Sequence, residues 1–237
     1  GSGEIPGGEY GILKISGSGT INGSVKADEI RCSGSAQVNG NAKANLIKSS
    51  GSMKITGSAD AGRIESSGSM KIEGTATASE LHSSGSLIAG AIEGGTVESS
   101  GALEIAKYVK VKSFNSSGSF EIKTSLEADS ISVKLGGDCV AKTVKGKKVS
   151  VIRGTNPNLW QVRFIANQVE GDEVTLDNAK VGLVKGRVVK IGPGSKIDEV
   201  KYSETLEVDK TSTVTRQTKL PSGKPETKKP APKETPK

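Results

Sequence analysis

Aromatic side chains are almost missing from this 237-residue chain: three Phe, three Tyr and one Trp make up 3% of it. A compact globular core of this length uses more aromatic bulk, so a conventional two-layer domain is a poor fit. There is one histidine, His82, and there are two cysteines, Cys32 and Cys139. The cysteines lie far apart and outside any C-x-x-C pattern, and His82 has no second ligand at metal spacing, which argues against a zinc site or a disulfide framework. In a stack of repeats the two sulfurs fall about six coils apart, so both read as free thiols, which suits the cytoplasm. No apolar run approaches the roughly 20 residues that a membrane helix needs, and no secretory signal is visible. The expected location is therefore cytoplasmic. Hydrophobic residues are sparse at 33%, a level compatible with disorder were it not for their placement.

Glycine is what the chain has in quantity, with 31 residues, and its spacing is regular. Ser-Gly pairs place glycines at 17, 34, 51, 68, 85, 101 and 118, in steps of 17 with a single step of 16. A short fixed period means stacked structural units, and this one is too short for a helical hairpin repeat, which needs roughly 33 residues. Four residues past each glycine stand Ile21, Val38, Ile55, Ile72, Ala89, Ile105 and Ile122. Two residues past stand Gly19, Ala36, Met53, Met70, Leu87, Leu103 and Phe120. A third set includes Ile30, Ile47, Ile64, Leu81, Phe114 and Ile131. Small or branched residues, such as Ala42 with Ala44 and Ala59 with Ala61, fill the positions between. Apolar residues two apart share one face of a strand. Three such pairs per unit predict three short faces and three corners, with Gly, Ser, Asn and Asp at the corners. The fold class read from this pattern is all-β: a right-handed parallel β-helix, that is, a triangular β-solenoid with coils of about 15–17 residues.

The register changes near Leu135. A motif at Val144–Val151 recurs at Val169–Leu176 and at Val184–Ile191, the first two copies 25 apart and the last two 15 apart. A coil of about 15 residues with an insertion of about ten explains both spacings. The domain reading is a lead-in over 1–9, partly disordered; a main solenoid over 10–152; an inserted loop over 153–162; C-terminal coils over 163–208; and a disordered Lys/Pro-rich tail over 209–237. The loop holds Pro157 and the lone tryptophan, with Leu159 and Trp160 as candidate contacts for a neighbouring protomer or a membrane. The tail holds five of the eight prolines and +5 of the net charge of +7, so the solenoid itself is close to neutral and the pI of 9.3 does not point to nucleic acid. Lys224, Lys228, Lys229 and Lys233 are its candidate contacts, for an anionic membrane surface or a cell-wall-associated protein.

Three stretches, taken in order, resemble the bactofilins, a polymer-forming bacterial cytoskeletal family, and most closely the longer bactofilin-like proteins of Bacillus and its relatives. They are GGEYGILKISGSGTINGSVKADEIRCSGSAQVNGN, the Ser-Gly coils followed by GGDCVAKTVKGKKVSV, and IANQVEGDEVTLDNAKVGLVKGRVVKIGPGSKIDEVKYSETLEV. The resemblance implies a right-handed triangular β-helix, end-to-end assembly into non-polar filaments without nucleotide, and a scaffolding role in cell shape, cell-wall organisation or motility. It implies no cofactor and no small-molecule substrate. Many members open with a short apolar membrane-targeting segment, which Gly1-Ser2-Gly3-Glu4-Ile5-Pro6 does not match.

The exposed cross-section of an end coil is the expected assembly surface. The candidates are Tyr10, Ile12, Leu13 and Ile15 at the N-terminal end, and Ile197, Val200, Tyr202 and Leu206 at the C-terminal end. A β-helix carbohydrate enzyme would group carboxylates for acid–base work, but Asp28, Glu29, Asp60, Glu65, Glu73 and Glu80 are scattered along the repeats. Lys145-Gly-Lys147-Lys148 and Lys185-Gly-Arg187 could form a basic strip for phosphate groups, or serve as charged corners that keep sheet edges soluble. A binding module presenting a sheet face or the basic tail to a protein or carbohydrate is the alternative to a self-assembling scaffold.

Overall fold

The computed structural model describes residues 2–154 and 162–221. The chain winds as a parallel β-solenoid of about twelve turns. In chain order its strands are β1 (Ser2–Ile15), β2 (Ser18–Cys32), β3 (Ser35–Val38), β4 (Ala42–Ser49), β5 (Ser52–Ile55), β6 (Ala59–Ser66), β7 (Ser69–Ser83) and β8 (Ser86–Ser99). They continue as β9 (Ala102–Ile105), β10 (Tyr108–Ser116), β11 (Ser119–Leu135), β12 (Cys139–Arg153), β13 (Phe164–Leu176), β14 (Ala179–Ile191), β15 (Lys196–Val208) and β16 (Thr213–Lys219). Every pairing is parallel, and all the strands belong to one continuous ladder system.

The apolar register read from the repeat is the observed one. Ile21, Val38, Ile55, Ile72 and Ala89 lie on successive rungs. That ladder begins at Ile5 and runs on through Ile105, Ile122, Ala141, Ala166, Val181 and Ile197 to Val214. A second inward ladder passes through Leu13, Ile30, Ile47, Ile64, Leu81, Val97 and Phe114. Between its ends each coil buries its side chains only on the coils above and below, as a solenoid must. The tube is narrow, so aliphatic side chains fill it. It also holds the rings of Phe114, Phe120 and Phe164, of which Phe114 and Phe120 meet edge to face at 5.5 Å.

The repeated glycine answers to the stacking rather than to an unusual backbone angle. A Cβ at Gly51, Gly68 or Gly85 would stand 2.0, 2.1 or 1.9 Å from the carbonyl oxygen of the repeat glycine one coil earlier. Coil follows coil too closely at this corner for any side chain.

Three features depart from the sequence reading. Residues 2–9 are part of strand β1, paired with β2 from Ser2 onward, because Ile5 already occupies an inward rung. Thr213–Lys219 is strand β16 on the edge of β15, so ordered structure runs past Val208: its alternating Thr and Val residues suit an extended edge. His82, which its place just after Leu81 in the repeat would put at a corner, sits within β7 on the outer face. The 25-residue offset between β12 and β13 against 15 between β13 and β14 places an insertion after Arg153. Asn178 fastens its base: its Oδ1 accepts a bond from Arg153 at 2.9 Å, and its Nδ2 donates to the Val162 carbonyl at 3.2 Å. Leu159 and Trp160 lie outside the described residues, as do Lys224, Lys228, Lys229 and Lys233.

Candidate functional site

A solenoid has two surfaces unlike the rest, its ends. At the N-terminal end of the described residues β1 pairs on one side only, with β2. Leu13 and Ile15 point inward and are 7% and 6% exposed, while Ile5 and Tyr10 are half-buried against the core. Tyr10 shares its rung with Ala27, and that ladder continues through Ala44, Ala61 and Ala78 to Gly94 and Val111. A tyrosine therefore stands where the inner coils carry small residues, and its hydroxyl donates to the Pro6 carbonyl at 2.7 Å. The ring closes the end of a strip too thin to admit it deeper in the stack. Ile12 departs from expectation: it pairs with Glu29 on an outward rung and is 59% exposed, on the flank rather than the end face.

At the other end Ile197 and Val200 are buried, because β16 lies over Lys196–Tyr202. They are thus covered, where the sequence reading had them open. Tyr202 follows Gly171 and Gly186 on its ladder and is half-buried, like Leu206. Gly186 and Tyr202 continue the strip of small residues that Tyr10 opens, so each terminal coil puts a tyrosine at its end. Beyond Tyr202 nothing described covers β15, and Val208 is 38% exposed. Ile5, Val208 and Val214 escape the sequence reading. Their rungs become visible only once the register is carried to the last coil.

Along the flanks cations and carboxylates are intermixed, with like charges also stacked, as in Lys14, Arg31 and Lys48 on successive rungs. Several of the scattered carboxylates are held by cations: Asp60 with Lys43 at 2.8 Å, Glu65 with Lys48 at 2.6 Å, Glu73 with Lys54 at 3.1 Å and Glu80 with Arg63 at 3.3 Å. Lys48 and Arg63 beside Glu65 hold its carboxyl below the usual range. The lysines of the expected basic strip are interleaved with acids. Lys147 pairs with Asp129 at 3.0 Å, and Lys145 lies between the rungs of Glu127 and Glu170. That flank is therefore mixed in sign and offers no uniform strip for phosphate. Arg187 likewise sits between Glu173 and Glu204.

An open groove of about 590 Å³ crosses the mid-rod flank. Its floor is the outward ladder His82, Glu98, Asn115, Ser132, bordered by Ser84, Ser100 and Ser117. The His82 imidazole stands 3.0 Å from Glu98 and 3.6 Å from Glu80. Behind the groove runs a buried serine ladder, Ser66, Ser83, Ser99 and Ser116, whose hydroxyls face inward with no hydrogen-bond partner. The equivalent rung is Cys32 earlier in the stack and Val133 later. Both cysteines are free and buried, and burial pushes the Cys139 thiol up to about 12. Among the described residues no three His, Cys, Asp or Glu side chains gather as a metal site, and no helix is long and apolar enough to cross a membrane.

These features define a parallel β-solenoid with largely polar flanks of mixed charge. Over 103 residues the chain is 33% identical to the uncharacterized protein YhbF of Bacillus subtilis (strain 168), spanning 43% of this chain and 40% of that protein. Over 106 residues it is 32% identical to the uncharacterized protein YhbE of the same organism, spanning 42% of this chain and 45% of that protein. The matched part is thus less than half the length of either relative. No protein-family model matches the chain, and no solved structure does.

Proposed function

We propose that this chain is a structural scaffold of bactofilin type that assembles end to end into filaments without nucleotide and does no catalysis. The observation that carries this reading is the pair of ends. Among the described residues β1 pairs on one side only, beside Ile5, Tyr10, Leu13 and Ile15, and an edge left unpaired next to apolar surface favours association unless it is capped. Flanks on which cations and carboxylates intermix, with ion pairs such as Lys43–Asp60, Lys48–Glu65 and Lys147–Asp129 between neighbouring coils, suit a rod that joins at its tips. Burying the end face is worth roughly 25 cal/mol per Å² of apolar area, so association should persist at moderate salt. Attraction through the basic tail would instead be screened over about 8 Å at physiological ionic strength. The tail is proposed as the tether to an anionic membrane surface or a cell-wall-associated protein, on the inner face of the cell membrane.

Electron microscopy and sedimentation of the purified protein at rising concentration test the proposal. Filaments a single rod wide, formed without nucleotide and persisting in half-molar salt, are the expected result. A second reading, a binding module for a carbohydrate or protein, draws on the groove at His82, Glu98 and Asn115. Protein that stays monomeric at every concentration, and whose flank resonances at these residues shift on adding oligosaccharide, would favour it instead.

A further inference from the structure

We infer that the groove at the corner following β12, β13, β14 and β15 is the docking site for this chain's own Lys/Pro segment, residues 228–233, and that docking there competes with attachment of that segment to an anionic surface. The competition rests on the tether role proposed above; the docking does not.

The groove is made by one corner repeated in successive coils. After the inward residues Val151, Leu176, Ile191 and Val208 the chain turns out through Ile152, Asp177, Gly192 and Asp209. The amides of Asp177, Gly192 and Asp209 each bond to the coil before at 2.8 Å. Gly192 is the low point: a Cβ there would stand 1.8 Å from Oδ1 of Asp177, so no side chain fills the corner. The hollow that results is about 620 Å³.

Its floor and its rim differ in kind. Ile152 and Val208 are 42% and 38% exposed, and with Pro193 they supply apolar surface to the hollow. Three carboxylates border it, Asp177, Glu207 and Asp209, against one cation, Lys190, which stands 3.5 Å from Glu207. Asp209 accepts from the Thr211 hydroxyl at 2.6 Å and from its amide at 2.8 Å, and these bonds hold its carboxyl below the usual range. An apolar floor under an acidic rim fits a ligand that is apolar and cationic at once.

Residues 222–237 have that chemistry, with five lysines against two glutamates, and four prolines. Proline favours an extended backbone with little entropy left to lose, and its ring lies well on an apolar groove. Lys228, Lys229 and Lys233 flank Pro230 and Pro232. The route is short. The Leu220 amide bonds to the Tyr202 carbonyl at 2.7 Å, so the segment departs beside β15, which runs on to Val208 at the groove. The strand from Tyr202 to Val208 covers about 20 Å, and an extended segment rising about 3.1 Å per residue spans that in about seven residues. Counting on from Pro221, that length arrives at Lys228. A connection so short keeps the segment at a high effective concentration, which favours the chain's own groove over a neighbour's.

The test uses full-length protein, with far-UV circular dichroism melts to show that each variant is folded. A carbodiimide joins a lysine amine to a carboxylate when the two touch. It is added to dilute wild-type protein in which light and heavy isotopic forms are mixed, so that links within one chain are told from links between two. Mass spectrometry should place Lys228, Lys229 or Lys233 on Asp177, Glu207 or Asp209 of the same chain. Ile152→Ser with Val208→Ser removes the apolar floor without changing charge, and should cut that yield about tenfold. Pro230→Gly with Pro232→Gly leaves the coils untouched and should cut it about threefold. Vesicles containing phosphatidylserine should lower the wild-type yield, and the Ile152→Ser, Val208→Ser protein should bind them about threefold more tightly than wild type does. Lysine links spread over carboxylates all along the rod, or a yield that neither variant changes, overturn the docking. Links between two chains overturn it as well, and assign the groove to a neighbour's segment. If vesicles bind without lowering the yield, the competition falls. If neither protein binds vesicles while the same-chain links remain, the tether role falls and the docking stands.

Discussion

Ile72 and Ile55 stack as partners on one rung set, both fully buried. Ile72→Asp would place a carboxylate among methyl groups, and the cost of an unpaired buried charge exceeds about 4 kcal/mol. A thermal melt should show the variant unfolded or severely destabilised. Ser67→Ala, at an exposed corner, should leave the melting temperature within a degree or two. One residue away the outcome reverses in sign: the Ser66 hydroxyl, like that of Ser83 one coil on, is buried without a partner, and each costs about 1–3 kcal/mol. Ser83→Ala should therefore raise stability by about 1 kcal/mol, measured by urea denaturation. Gly68→Ala tests the close approach of the coils. Its Cβ would stand 2.1 Å from the Gly51 carbonyl oxygen, so the coils must part there. A loss of about 3 kcal/mol is expected, at the upper end of overpacking costs.

At the scale of the strand, β12 carries a buried thiol whose ionisation opposes folding. Cys139 is pushed up to about 12 by burial, while a thiol in the unfolded chain ionises near roughly 8.5. A raised folded value means the folded state holds the proton longer. Its stabilising contribution is thus intact below about pH 8.5 and is lost as pH climbs from there towards 12. Denaturant midpoints measured from pH 8 to pH 11 should fall, and Cys139→Ala should flatten part of that fall. Cys139 should resist thiol reagents at neutral pH until denaturant is added, since burial denies both access and thiolate. A thiol that reacts promptly in the native protein would contradict this burial.

For the molecule as a whole, quasi-one-dimensional stacking means that each coil is secured by two neighbours, except at the ends. Hydrogen exchange should follow that gradient. Amides of β16, which has one neighbouring strand and one half-buried apolar side chain, should exchange at least about a hundredfold faster than those of β5 or β9 in mid-stack. Uniform protection along the rod would mean that the solenoid opens as one unit, and that β16 is held as firmly as the core.

The sequence by itself determined the solenoid. A period of 17, two-residue apolar spacing and a glycine in every coil admit few other solutions, and Ile21 to Ile122 fell on the rungs the repeat assigned. The insertion after Arg153 was legible for the same reason, as a break in a constant offset. Tertiary structure decided the ends and the glycine. A repeat describes what neighbours do to each other, whereas a terminal coil lacks one neighbour, so its state depends on whatever happens to cover it. Composition gave β16 no distinction from the tail that follows, and only its pairing with β15 revealed that Ile197 and Val200 are closed off. Ile12 reads as one more apolar end residue until the rung it shares with Glu29 turns it outward. The buried serine ladder was legible in part, since Ser49, Ser66 and Ser83 fall where another coil places Cys32 and that position reads as small and semi-buried, but the lack of a hydrogen-bond partner for the Ser66 and Ser83 hydroxyls was not. Which of two adjacent serines faces inward depends on where the strand ends, and the packing of one coil on the next sets that point.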